Sequence, residues 1–358
     1  MHALLAKIEM RLPIIQAPMA GVSTPAMAAA VSNAGGLGSL GLGSSEPEAA
    51  RGMIAAFRKL SSGPLNANLF CHTPARPDEA RDKRWIDALR PAFAAHGSQP
   101  PAALREIYRS FVEDDGMLAM LLQERPRVVS FHFGLPSRER VAALKDAGIV
   151  LLATATTLEE ARIIDAAGID GIVAQGYEAG GHRGIFNPDI DDAIGTLALV
   201  RIITAEGGVR TPVVAAGGIM DGAGIAAAMK LGAVAAQLGT AFIDCPESSA
   251  DAGYRAALRG PSAHHTIITR AVSGRPARCL ANRFTQLGES LSGAEVPAYP
   301  LAYDAGKALN AAAKGKGEFG YGAQWAGQGA PLCRSLPASE LVRVLASEAA
   351  QAGCEMAV

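Results

Sequence analysis

Residues 212–242, PVVAAGGIMDGAGIAAAMKLGAVAAQLGTAF, carry the same pattern twice, a short apolar run ending in glycine, with a helical stretch between the copies. The first run ends in Gly217-Gly218 and the second in Gly239-Thr240. Neither alternates with polar residues, which is how a parallel strand reads when helices cover both faces. The rhythm continues in both directions, predicting eight strands at 14–20, 37–41, 65–70, 128–133, 150–155, 171–175, 212–217 and 235–239. Between them, residues 25–34, 46–60, 138–147, 158–167, 190–206 and 222–231 place apolar residues at helical period, and Thr157 ahead of two glutamates reads as a helix N-cap. Alternation of this kind predicts an α/β fold, a TIM (β/α)8 barrel.

A barrel uses about 250 residues, so a chain of 358 has residues left over. Two segments break the alternation. Residues 71–125 open with a proline-rich loop and then read as helices around 85–95 and 104–122, and residues 246–358 follow the last strand. The expected organisation is a barrel from 1–70 and 126–245 under a mostly helical, substrate-binding cap from 71–125 and 246–358.

The composition excludes several function classes. With 33 basic against 34 acidic residues there is no net field to draw in nucleic acid or an anionic membrane. The five cysteines are scattered, without a C-x-x-C pair or a histidine at zinc spacing, so reduced thiols and no metal are expected. No apolar run reaches the roughly 18 residues of a membrane span. Residues 1–16 are interrupted by Lys7, Glu9, Arg11 and Pro13, unlike a signal peptide, so a cytoplasmic location is expected.

The site is expected where the strands end. Glycines let backbone amides approach a phosphate closely, and in barrels the loops after the last two strands recurrently form that cradle. One such loop is also explained by a simple strand-to-helix turn; two on consecutive units point to a phosphate. The first strand exits as Gln16-Ala17-Pro18-Met19-Ala20-Gly21, small enough to lie flat on a planar ring, and Asn66, Asn68 and Gln175 offer amides to ring heteroatoms. Together these features suit a flavin phosphate.

At the reacting end, His182 is flanked by glycines in QGYEAGGHRG (175–184), and His132 ends the fourth strand in SFHFG (130–134). A neutral imidazole there can take a proton or orient an anion. Of the remaining histidines, His2, His72, His96, His264 and His265, none is assigned to chemistry. Tyr299, Tyr303 and Lys307 stand four apart and share one face if the segment is helical, a clamp for a small carboxylate or nitronate anion; a solvated amphipathic face has the same pattern.

These residues together resemble the nitronate monooxygenase family, formerly called 2-nitropropane dioxygenases, in particular its class I bacterial branch. The matching stretches are QAPMAGVSTPAMAAAVSNAGGLG (16–38), VSFHFGLP (129–136), AQGYEAGGHRG (174–184), PVVAAGGIM (212–220), QLGTAF (237–242) and FGYGAQWAGQGAP (319–331). The resemblance implies non-covalent FMN and the O2-dependent conversion of alkyl nitronates, typically propionate 3-nitronate, to carbonyl compounds plus nitrite or nitrate. It implies that Ala17, Pro18 and Met19 border the flavin, Asn68 and Gln175 bond it, and Gly180, Gly217, Gly218, Gln237, Gly239 and Thr240 surround its phosphate. His132, His182, Tyr299, Tyr303, Lys307 and, from the inserted segment, Tyr108 would then line the substrate side, with His182 as the base for neutral nitroalkanes. A second reading is an NAD(P)H-dependent FMN reductase of the quinone or enoyl-thioester type, which shares the QAPMAG and AAGGI loops. A third is a flavin- or sugar-phosphate-binding protein without turnover.

Overall fold

The computed structural model describes residues 2–76, 78–205, 208–291 and 295–354. Helix α1 (Ala3–Ile8) precedes β1 (Ile14–Gln16), α2 (Pro25–Asn33), β2 (Gly38–Gly41), α3 (Pro47–Arg58) and β3 (Leu65–Phe70). The first insertion carries α4 (Glu79–Ala95) and α5 (Asp115–Glu124). The alternation resumes with β4 (Val128–His132), α6 (Arg138–Asp146), β5 (Val150–Ala155), α7 (Leu158–Ala166) and β6 (Gly171–Gln175). A short strand β7 (Gly181–His182) is followed by α8 (Thr196–Ala205), β8 (Val213–Ala216), α9 (Gly222–Lys230), β9 (Ala235–Leu238) and α10 (Thr240–Ile243). Last come α11 (Ala252–Arg259), β10 (Thr266–Thr269), β11 (Ala277–Leu280), α12 (Arg283–Ser290), α13 (Leu301–Lys314) and α14 (Ala338–Gln351).

Eight parallel strands run in the order β1-β9-β8-β6-β5-β4-β3-β2. The ends of that order meet, because Gln16 N donates to the Leu37 carbonyl and Leu37 N to that of Ile14, both at 3.0 Å, so the barrel closes. Alternate residues serve different layers. Ala67, Leu69, Val129, Phe131, Leu151 and Ala153 pack outward against the helices, while Ile15, Val128, Val150, Leu152, Val173 and Val214 pack inside with Leu4, Leu5 and Ile8 of α1. Helix α1 therefore plugs the end where strands begin and leaves the end where they finish to a site. Leu341, Val342 and Leu345 of α14 join the outer core, and Glu348 accepts from Gly222 N at the start of α9 (2.9 Å).

The expected strands at 65–70, 150–155 and 171–175 match. The first is shorter than expected because the chain turns away after Gln16 into a loop that Ser23 ties down, its Oγ accepting from Met19 N at 3.0 Å. Thr157 caps α7 as expected, accepting from Glu160 N at 3.1 Å. Two helices start later than expected. Residues 104–114 stay out of a helix because two of their amides are taken elsewhere, Arg105 N by Asp304 (3.1 Å) and Phe111 N by the Phe70 carbonyl (2.8 Å), and the helix begins only after Asp114 caps it. Likewise 190–206 becomes helical at Thr196, whose amide is fixed by the Glu178 carboxylate (2.8 Å); Glu206 lies outside the described residues. The C-terminal region also holds strands that the reading lacked: β10, β11 and β7 form an antiparallel sheet in which Ala277 pairs with His182. Among the described residues no helix is long and apolar enough to cross a membrane.

Candidate active site

At the strand C-terminal ends, one cavity is lined by sixteen of the expected site residues; Lys307 and Asn66 are the exceptions. Its floor on one side is glycine. Gly217 (φ +120°) and Gly218 (φ +70°) adopt backbone angles that side chains resist, and a Cβ on Gly180 would fall 2.4 Å from Gly327 N. The amides of Gly180, Gly217 and Gly218 donate to no acceptor among the described residues. Gly239 and Thr240 open α10 opposite, with Thr240 Oγ1 accepting from Gly327 N at 2.9 Å. Free amides converging beside glycine are chemically suited to a phosphate.

Next to this cradle the β1 exit presents Ala17, Pro18 and Met19. Gln16 shapes it from behind, donating to Ser23 Oγ (2.8 Å) and accepting from Ser39 N (2.9 Å). Asn68 faces the cavity and donates to Ser130 Oγ at 3.0 Å, whereas Asn66, a step deeper in the barrel, donates to Ser39 Oγ and does not reach the cavity. Gln175 works mainly on its own loop. Its Nε2 donates to the His182 carbonyl (3.0 Å) and its Oε1 accepts from Gly184 N (2.7 Å), which leaves one N–H for a ligand.

Beyond lies a chamber of rings. His182 sits 5.3 Å from Tyr299, 5.0 Å from Trp325 and 5.6 Å from Phe133, ring centre to ring centre. Its Nε2 meets Ser273 Oγ at 2.9 Å. His132 has both nitrogens engaged. The His182 carbonyl 3.2 Å from its Nε2 can only accept, so Nε2 carries the proton and Nδ1 accepts from the Thr154 hydroxyl at 3.0 Å. Burial, with neighbouring positive charge, lowers His182 to about 3 and His132 to about 4, so both are neutral near pH 7. Burial raises the phenols of Tyr108 and Tyr299 and pushes Tyr303 up to about 12, which keeps all three as donors. The Tyr299 hydroxyl is buried and has no partner among the described residues.

The expected Tyr-Tyr-Lys stripe is not a single helical face. Tyr303 and Lys307 lie on α13, but Tyr299 precedes the helix, across a cis peptide bond to Pro300. Lys307 stands behind the chamber wall, its Nζ 4.8 Å from the Tyr108 ring centre and 5.4 Å from that of Tyr303.

Several residues at the chamber were not anticipated: Phe133, Trp325, Ser273, Arg275 and His72. His72, read as a bystander, is 1% exposed and packs edge-on against Tyr299 at 4.9 Å. Burial, with the Arg275 charge, lowers it to about 4, and its Nε2 stands 4.0 Å from a Glu106 carboxylate oxygen. The sequence offered one usable signal, the repeated aromatic-imidazole pattern of 131–133. The others come from loops with no local pattern.

Fold and site together define an α/β-barrel enzyme that works on a small molecule where its strands end. The nitronate monooxygenase family profile matches residues 2–348. A nitronate monooxygenase of Paraburkholderia phytofirmans is 60% identical over 351 residues, covering 98% of this chain and 95% of that one, and one of Pseudomonas aeruginosa is 57% identical over 337 residues, covering 94% and 95%. Among solved structures, a nitroalkane oxidase from Streptomyces ansochromogenes superposes with a TM-score of 0.87 at 40% identity over 98% and 99% of the two chains. FabK from Thermotoga maritima superposes at 0.74 with 27% identity over 97% and 96%. The chain belongs to the nitronate monooxygenase family and is an oxidoreductase.

Proposed function

We propose that this chain is an FMN-dependent nitronate monooxygenase whose substrate is a small alkyl nitronate bearing a carboxylate, propionate 3-nitronate being the type. The observation that carries the reading is a cradle of unbonded glycine amides opening into a chamber whose imidazoles are neutral and whose phenols are protonated. Gly180, Gly217, Gly218, Gln237, Gly239 and Thr240 would hold the FMN phosphate, Ala17, Pro18 and Met19 would border the ring, and Asn68 and Gln175 would offer it amides. When bound, the flavin supplies the electron-accepting chemistry and the reaction with O2.

The remaining work belongs to side chains. A nitronate has already lost its α-proton, so no base is needed and a histidine lowered to about 3 is no handicap. The Tyr299 hydroxyl, with no protein partner, would donate to the anion, and Tyr108 and Tyr303 would wall it in and exclude water. His182 would orient the nitronate through Nδ1, since Nε2 is engaged by Ser273. His132, with both nitrogens occupied, would hold the His182 backbone in place and move no proton. Lys307 would attract the carboxylate from the edge of the chamber.

The test uses purified protein. It should be yellow, release FMN on denaturation and consume O2 with propionate 3-nitronate. Lys307→Ala should raise KM for that compound about tenfold and leave an uncharged alkyl nitronate nearly unaffected. Equal losses would remove the carboxylate from this reading. Rapid anaerobic bleaching by NADH without nitronate would favour an NAD(P)H-dependent reductase.

A further inference from the structure

Arg275 lies in the turn between β10 and β11, one layer behind the ring chamber, and is only 4% exposed. Its neighbour Arg270 pairs with Asp189 at 3.0 Å and Arg183 with Asp191 at 2.8 Å. Arg275 pairs with no carboxylate among the described residues; one Nη donates to the Ile185 carbonyl and its Nε has no partner. A buried guanidinium left without a carboxylate is expensive, so its retention calls for a reason.

Phe133 supplies the geometry. The guanidinium carbon stands 4.3 Å from the centre of its ring, and the same ring faces the chamber, 5.4 Å from Tyr299 and 5.6 Å from His182. These spacings put the charge within about 10 Å of the His182 ring. Phe133 holds this position at φ +73°, a strained angle for a bulky residue of the kind found at working sites. His72, His132 and His182 all feel the charge, which adds to burial in keeping them neutral. An anion in the chamber is thus surrounded by neutral rings with two positive charges outside the wall, Arg275 behind Phe133 and Lys307 behind Tyr108 and Tyr303.

We propose that Arg275 is a specificity-determining residue, its guanidinium behind Phe133 being the fixed charge that makes the chamber favour an anionic nitronate over the neutral nitroalkane of the same skeleton. This rests on the nitronate reading above. A unit charge at roughly 10 Å, under an effective dielectric of about 20, changes anion binding about tenfold.

The experiment compares ethyl nitronate with nitroethane in the FMN-loaded wild type, Arg275→Met and Arg275→Lys, with nitrite titrated as a non-reacting anion and read by flavin absorbance. Arg275→Met should raise KM for ethyl nitronate and the nitrite Kd about tenfold, leaving kcat and the inhibition constant of nitroethane, as a neutral competitor, within about twofold. Arg275→Lys should restore most of the loss. Equal loss for both compounds, or failure of lysine to rescue, would assign Arg275 a structural role through the Ile185 carbonyl and overturn the proposal, as would no change. Should Arg275→Met not fold, Arg275→Gln, which keeps a donor for that carbonyl, carries the same comparison. If the wild type did not turn over ethyl nitronate, the nitronate reading would fail while the nitrite titration still decided the role of Arg275.

Discussion

His182 is anchored twice, its backbone on a rung of the β7–β11 ladder and its Nε2 on the hydroxyl of Ser273, which is fully buried. Losing that hydroxyl frees the ring and leaves the glycine cradle untouched. Ser273→Ala is therefore expected to lower kcat/KM for a nitronate about fivefold, in line with one lost buried hydrogen bond, with FMN content unchanged. Loss of FMN together with activity would instead make Ser273 a general support of the loop. The three buried histidines also link stability to pH. Each has a folded pKa below its unfolded value, so the unfolded chain binds more protons, and stability present above about pH 6.5 is lost as pH falls toward about 4. The slope is up to about 1.4 kcal/mol per pH unit for each histidine. A Tm that stayed flat from pH 7 to pH 5 would contradict the buried, neutral state. Residues such as His72, Ser273 and Arg275 were illegible in the sequence because their meaning lies in contacts with residues far along the chain, and nothing in CHTP (71–74) or SGRP (273–276) announces them.

Elements were more legible than residues. β5 and β6 are mostly apolar runs and β3 alternates apolar residues with Asn66 and Asn68, and all three are buried along nearly their whole length. The cradle was legible for a related reason, since Gly217-Gly218 and Gly239 follow their strands directly. Its tightness gives a prediction at this scale. Gly180→Ala places a methyl 2.4 Å from Gly327 N, which bonds Thr240, so it should displace both the Gly180 and Thr240 sides of the proposed phosphate cradle, and the purified variant should be largely colourless with FMN affinity down at least about tenfold. Full flavin content in that variant would move the phosphate elsewhere. The expected helix over 104–122 failed in its first half, where apolar periodicity was outweighed by long-range bonds from Arg105 to Asp304 and from Phe111 to Phe70. That stretch instead carries Tyr108 to the chamber as a strap pinned at both ends. The Tyr299–Lys307 stripe broke for a similar reason, since the helix starts only after Pro300.

The whole molecule is a barrel closed at one end and chemically equipped at the other. Helix α1 forms the closure with Leu4, Leu5 and Ile8, and Ile8 is fully buried among the inner strand residues. Ile8→Ala should cost about 2–4 kcal/mol of stability from cavity formation while leaving the KM for nitronate unchanged, measured by denaturant unfolding beside steady-state kinetics. A change in KM would mean that the plug communicates with the mouth. At the other end, on the proposed function, the ring chamber and the glycine cradle would act together to bring an anion against a planar cofactor. The measurement that tests this most directly is anaerobic stopped-flow mixing of the purified protein with propionate 3-nitronate and, separately, with NADH. The account predicts rapid bleaching of a flavin spectrum by the nitronate and none by NADH; a colourless protein, or bleaching by NADH alone, would contradict it.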